Sequence, residues 1–193
     1  MINLIALFIA ILFVVAVVLT FVVTGPARNK TLKSVVERFD GSFAIFTFWP
    51  TVKGKYQGFE FHIVLVPAGK SSPEKLIVRL LKPSVFTLSV SRETALARLG
   101  KKIRLINEIQ INDPSFDKEF LIFSNRPVQT VHLLNGSAKS ILRELFASGF
   151  QTFRIDATSV SLLKPNYTLE TDVAPARIED ILQKLLTLSS NAV

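Results

Sequence analysis

The chain has 193 residues, a formal net charge of +8 and no cysteine, which excludes disulfide bonds, thiolate metal sites and cysteine nucleophiles. Its positive charge is concentrated: residues 26–110 hold 15 Lys and Arg against 6 Asp and Glu, whereas residues 111–193 hold 8 against 9. Basic segments of this kind are attracted to anionic lipid head groups. No zinc-finger, RNP-like or Gly-rich phosphate motif supports nucleic acid as a partner instead.

Residues 4–23 form an uninterrupted apolar run whose only polar side chain is Thr20. As a helix, a run of this length spans about 30 Å, the thickness of the hydrocarbon core of a bilayer. A cleaved signal peptide is the alternative, but no Lys or Arg precedes the run and residues 24–27 make a poor cleavage site. We therefore predict an uncleaved transmembrane anchor over residues 1–25.

Basic residues follow the apolar run, whereas no charged side chain precedes it. Lys and Arg close to a membrane span are retained on the cytoplasmic side. We predict a single-pass protein with its N-terminus outside and its C-terminal domain in the cytoplasm. The residues expected at the membrane surface are Arg28, Lys30, Lys33 and Arg38.

Small residues within the predicted anchor lie one helical turn apart, at Ala6, Ala10, Ala16 and Thr20. Such spacing lets transmembrane helices approach one another closely. These four residues are therefore candidates for contact with a partner helix. The alternative is composition alone, since Ala and Thr are common in apolar spans.

After the anchor, residues 26–41 are predicted to form a juxtamembrane linker and short helix, because Leu32, Val35, Val36 and Phe39 recur at helical spacing. Residues 42–193 are predicted to form one soluble domain. In its first part, the runs of aromatic and β-branched residues indicate strands, one of which ends at Pro50. The predicted strands cover residues 43–49, 56–65, 76–81, 85–90 and 102–111, with a short helix over residues 92–99.

The second half mixes helices and strands. Asp113 followed by Pro114 is typical of a helix start, with Asp as the cap and Pro at the first helical position. Further helices are predicted over residues 125–134, 137–149 and 175–188, and strands over residues 120–124, 153–157, 159–163 and 167–170. Because the connections between strands are short, we predict an α+β domain in which helices cover one face of an antiparallel sheet.

The sequence carries little that is typical of catalysis. His62 and His132 are each flanked by apolar residues, and no HExxH, GxSxG or Walker pattern occurs. The acidic cluster of Asp113, Asp117 and Glu119 suits either a hard cation or a helix cap, and the cap is favoured. We predict no catalytic residue, metal site, cofactor or small-molecule substrate.

Sixteen phenylalanines are present, and several aromatic residues crowd the segment just after the anchor. One interpretation is that they belong to the core; the alternative is an aromatic surface that docks on the membrane interface or on a neighbouring subunit. We assign Trp49 to the membrane surface. Phe43, Phe46 and Phe48 are the candidate partner surface.

Two spaced motifs resemble a widespread group of uncharacterised bacterial membrane-anchored proteins with no assigned activity. The first is Gly54-x-Tyr56-x-Gly58-x-x-Phe61, and the second is Asp113-Pro114-x-Phe116-Asp117-x-x-Phe120-x-x-x-Ser124-x-x-Pro127. The similarity covers about residues 54–134. It implies a bacterial source, hence the inner membrane, and a membrane-tethered α+β domain.

These features predict a non-enzymatic accessory or scaffold subunit of a larger membrane protein complex. Its expected partners are integral membrane protein subunits and the lipid bilayer. Two alternatives stay open: a tethered module that binds anionic lipid, and an enzyme that acts near the membrane.

Overall fold

A computed structural model describes residues 30–46, 49–92 and 108–190. The predicted anchor, all but the first residue of the helix over residues 92–99 and most of the strand over residues 102–111 lie outside these ranges. Within them, no helix combines the length and the hydrophobicity needed to cross a bilayer. The elements in chain order are α1 (30–38), β1 (Ser42–Phe46), β2 (Trp49–Tyr56), β3 (Phe59–Val66), β4 (Lys75–Leu80), β5 (Leu88–Arg92), α2 (Pro114–Glu119), β6 (Phe120–Ser124), α3 (Pro127–Leu134), α4 (Ser137–Ala147), β7 (Thr152–Ile155), β8 (Val160–Pro165), α5 (Leu169–Asp172) and α6 (Pro175–Ser190).

The eight strands form one sheet in the order β1-β2-β3-β4-β8-β7-β5-β6, and every neighbouring pair is antiparallel. The predicted α+β class with an antiparallel sheet is thus confirmed. Side chains alternate between the two faces of a strand, and the burial pattern shows that one face is packed and the other open. One buried row crosses the packed face through Val52, Ile63, Val78, Leu162, Phe153, Val90 and Ile122.

Helix α6 covers the packed face where β4 and β8 lie side by side. Five of its apolar residues recur at helical spacing, so they share one side of the helix, and all five are buried. Helix α1 contributes Leu32 and Val35 to the same core. The five buried apolar residues of α6 are Ile178, Ile181, Leu182, Leu185 and Leu188.

The first resemblance motif has a structural explanation in the hairpin of β2 and β3. A Cβ on Gly54 would lie 2.7 Å from Cζ of Phe61, so only glycine leaves room for that ring. The Phe61 ring in turn meets Phe39 edge-on, with centroids 5.1 Å apart. Gln57 and Gly58 both have positive φ, 48° and 86°, as a two-residue type I′ turn requires.

Four of the predicted strands differ from the structure. The run over residues 56–65 contains the turn at Gln57 and Gly58, and the strand over residues 85–90 begins only at Leu88. The strand over residues 43–49 does not end at Pro50; instead the chain turns back earlier, so that Pro50 lies in β2 opposite Ile45. Proline is tolerated there because it is the second residue of its strand, beside the edge strand of the sheet. The strand over residues 167–170 is replaced by α5, whose Asp172 accepts a hydrogen bond from the Thr168 amide at 2.8 Å. Such local side-chain bonds stabilise a turn in preference to a strand.

Candidate functional site

The structure describes only some of the residues singled out from the sequence. Ala6, Ala10, Ala16, Thr20, Arg28 and Phe48 lie outside the described ranges, and of Phe46 only its place in β1 is described. Lys30, Lys33 and Arg38 belong to α1. Phe43 lies in β1 and Trp49 opens β2.

The basic residues of α1 have different surroundings. Lys33 is 77 % exposed and lies 3.8 Å from Glu37 on the same helix. Arg38 donates a hydrogen bond to Glu179 of α6 at 2.9 Å, so it links two helices of the fold. Both pairs are solvent-exposed, and exposed ion pairs contribute little to stability.

An apolar groove lies where α1 meets β1, and we call it the collar groove. It has a volume of about 290 Å³ and is lined by Leu32, Lys33, Val36 and Phe43. Phe43 is 44 % exposed, which is unusual for a large aromatic side chain. The collar groove follows the predicted anchor directly in the sequence.

A second surface is the open face of the sheet. Val64, Ile77 and Leu163 occupy one register row on β3, β4 and β8, and together they form a half-buried apolar strip. Thr51 on β2, opposite Val64, continues this row and is itself buried. Trp49, two residues before Thr51 and 42 % exposed, borders this strip. A shallow depression of about 350 Å³ joins the tryptophan to the strip and to the charged row next to it.

The neighbouring register row on the open face is positively charged, and we call it the cationic row. It runs through Lys53, His62, Arg79, Ser161 and Arg154, on β2, β3, β4, β8 and β7. Adjacent strands lie about 4.8 Å apart, so its three permanent cations recur about every 10 Å. Arg79 and Arg154 are exposed, and neither forms an ion pair within the part of the chain that the structure describes.

Glu60 is the one acidic residue of the described strands, and it also lies on the open face. Its Oε1 lies 2.7 Å from Nε2 of His62. That hydrogen bond lowers the pKa of Glu60 below its usual value. Because the Glu60 carboxylate is hydrogen-bonded to His62, this carboxylate does little to neutralise Arg79 and Arg154.

The acidic cluster at the start of α2 acts as a cap. Asp113 accepts hydrogen bonds from the Phe116 amide at 3.2 Å and from the Ser115 hydroxyl at 2.8 Å, and it pairs with Lys139 at 2.8 Å. These donors lower the pKa of Asp113. Among the described residues, no three His, Asp or Glu side chains come together in a way that would hold a metal ion.

Sequence reasoning missed Lys53, Arg79 and Arg154. Each occupies a polar position in an alternating strand, which is the ordinary pattern of a solvent-facing residue. They are far apart in the sequence, and only the sheet register places them in one row. The one available signal was the alternation of apolar and charged residues within each strand. This alternation does not show which residues of different strands lie side by side.

The fold and these surfaces define an α+β domain with an antiparallel sheet that is packed on one face and open on the other. A similar fold is found in the crystal structure of the mycobacterial trehalose monomycolate transport factor A, TtfA, with a TM-score of 0.51 and 8 % sequence identity, covering 85 % of this chain and 91 % of that chain. At this identity the likeness shows the fold alone. No protein-family model and no curated protein matches the sequence.

Proposed function

We propose that this chain is a non-enzymatic accessory subunit of a membrane protein complex. Residues 4–23 anchor it, and the collar groove docks against an integral membrane subunit. The observation that carries the proposal is the exposure of Phe43, at 44 %, beside Leu32 and Val36. An exposed aromatic residue in an apolar groove is typical of a surface that another protein covers.

The groove alone is a weak binding surface. Burying the exposed part of Phe43 contributes about 1 kcal/mol, which is far below what a stable complex needs. The anchor supplies the remainder, because it confines the groove and its partner to the same membrane and raises their effective concentration. The small residues Ala6, Ala10, Ala16 and Thr20 would add contacts between helices within the bilayer.

The structural comparison bears on the proposal through the fold alone. The protein with the similar fold is described as a transport factor. A fold that serves such a factor is compatible with an accessory role here. Neither its cargo nor its partners are carried over to this chain.

Native membranes solubilised in a mild detergent test the proposal. On native gels and by size exclusion, we expect the chain to migrate in an assembly well above its own 21.5 kDa. Phe43→Ser should shift it toward the monomer. Val128→Ser is the matched control, because Val128 is 67 % exposed on α3 and does not line the groove. Migration of the unmodified protein only as a detergent-bound monomer would overturn the proposal.

A further inference from the structure

We propose that the open face of the sheet is a membrane-contact surface that binds the anionic head groups of phospholipids. Lys53, Arg79 and Arg154 would meet the head groups, and Trp49 would lie at the interface. This inference uses the anchor of the proposed function but not the collar groove, which is a different surface. The two can therefore fail separately.

The cationic row supports an anionic ligand. Its permanent charges stand about 10 Å apart on one face of a rigid sheet, and like charges in such an arrangement repel one another. Arg79 and Arg154 find no acidic partner among the described residues, and the carboxylate of Glu60 is held by His62. An external anion would relieve this repulsion.

The apolar strip indicates that the anionic ligand also has an apolar part. It is displaced from the cationic row by two residues along each strand, about 7 Å. A phospholipid presents an anionic phosphate and, a few ångströms deeper, the beginning of its acyl chains. Val64, Ile77 and Leu163 therefore lie where the apolar part would be, while Arg79 lies where the phosphate would be. Tryptophan favours the same boundary, because its ring is apolar and its N–H is polar.

The tether favours lipid over an acidic segment of a protein. If residues 4–23 span the bilayer, residues 24–29 can separate α1 from the membrane by about 20 Å at most. The domain then stays beside a leaflet whose anionic lipids attract basic side chains.

Trp49 is the single tryptophan of the chain and serves as the reporter. The full-length protein is reconstituted into vesicles of phosphatidylcholine, or of phosphatidylcholine and phosphatidylglycerol in equal amounts. Both contain the same fraction of a phosphatidylcholine brominated near the head group, which quenches tryptophan at the interface. We expect stronger quenching in the anionic vesicles and a loss of that difference at high salt.

Substitutions test whether the arginines of the cationic row cause the difference in quenching. Arg79→Gln combined with Arg154→Gln should weaken docking about 25-fold, at about fivefold for each charge. The control variant, Lys118→Gln with Arg126→Gln, loses the same charge from exposed positions outside the strands and should keep the quenching of the unmodified protein. Circular dichroism checks that both variants are folded.

Three results would overturn the inference. The first is equal quenching in neutral and anionic vesicles, and the second is quenching that the arginine substitutions leave unchanged. The third is a Trp49 that is exposed in pure lipid vesicles but shielded in native membranes, which would assign the open face to a protein partner. None of these results bears on the native-gel test of the collar groove.

Discussion

Lys164 on β8 and Asp172 on α5 form an ion pair of 2.6 Å, although their side chains are only 14 % and 12 % exposed. The same ammonium group donates to the backbone carbonyl of Ser148, after α4, at 2.9 Å. Asp172 also accepts from the Thr168 amide. This charge pair thus connects β8 to the segment that precedes β7 and to the helix that follows β8.

We expect Lys164→Met to lower the free energy of unfolding by about 3 kcal/mol, because it leaves the carboxylate of Asp172 buried without its partner. Adding Asp172→Asn removes that charge while keeping an acceptor for the Thr168 amide. The double variant should therefore lose less than the two single variants together. Urea unfolding of the full-length protein in detergent, followed by circular dichroism, gives the four values of the cycle. Additive losses would show that the two residues do not interact.

We expect Gly54→Ala to destabilise the protein by about 1–3 kcal/mol, since its methyl group would collide with the ring of Phe61. A second substitution should relieve this collision. Phe61→Leu shortens the side chain that causes it, so it should cost less in the Gly54→Ala background than alone. The same unfolding measurement tests this, and an alanine variant as stable as the original would contradict the close packing seen here.

The cap at Asp113 predicts a dependence of stability on pH. Hydrogen bonds from Lys139, Ser115 and the Phe116 amide lower the pKa of Asp113 in the folded state below its unfolded value of 3.8. The Asp113 carboxylate therefore stabilises the fold at pH values above its unfolded pKa. This stabilisation is lost as the pH falls through about 4 toward the lower pKa of the folded state.

Asp113→Asn should accordingly be less stable than the original protein at neutral pH, and the difference should shrink in acid. Thermal unfolding of both proteins over a series of pH values measures it. A difference that stays constant between neutral pH and pH 2 would mean that the Asp113 charge does not contribute.

The sequence by itself determined the features that depend on neighbouring residues. The Asp113 cap, the helices from Pro127 and Pro175 and the strand from Phe120 were all predicted close to their observed bounds. Capping, helical spacing and strand alternation act over a few residues, so one chain segment contains the whole signal. The apolar run over residues 4–23 is a prediction of the same local kind.

Only the tertiary structure decided which strands are neighbours and in what register. Pro50 lies in a hairpin that the run of aromatic residues before it did not reveal. The strand predicted over residues 167–170 is replaced by a helical turn. The order β4-β8-β7 places Arg79 and Arg154 two strands apart, although 75 positions separate them in the sequence. Register between distant strands depends on the packing of the whole buried face, because a slip of one residue would turn every core side chain toward solvent.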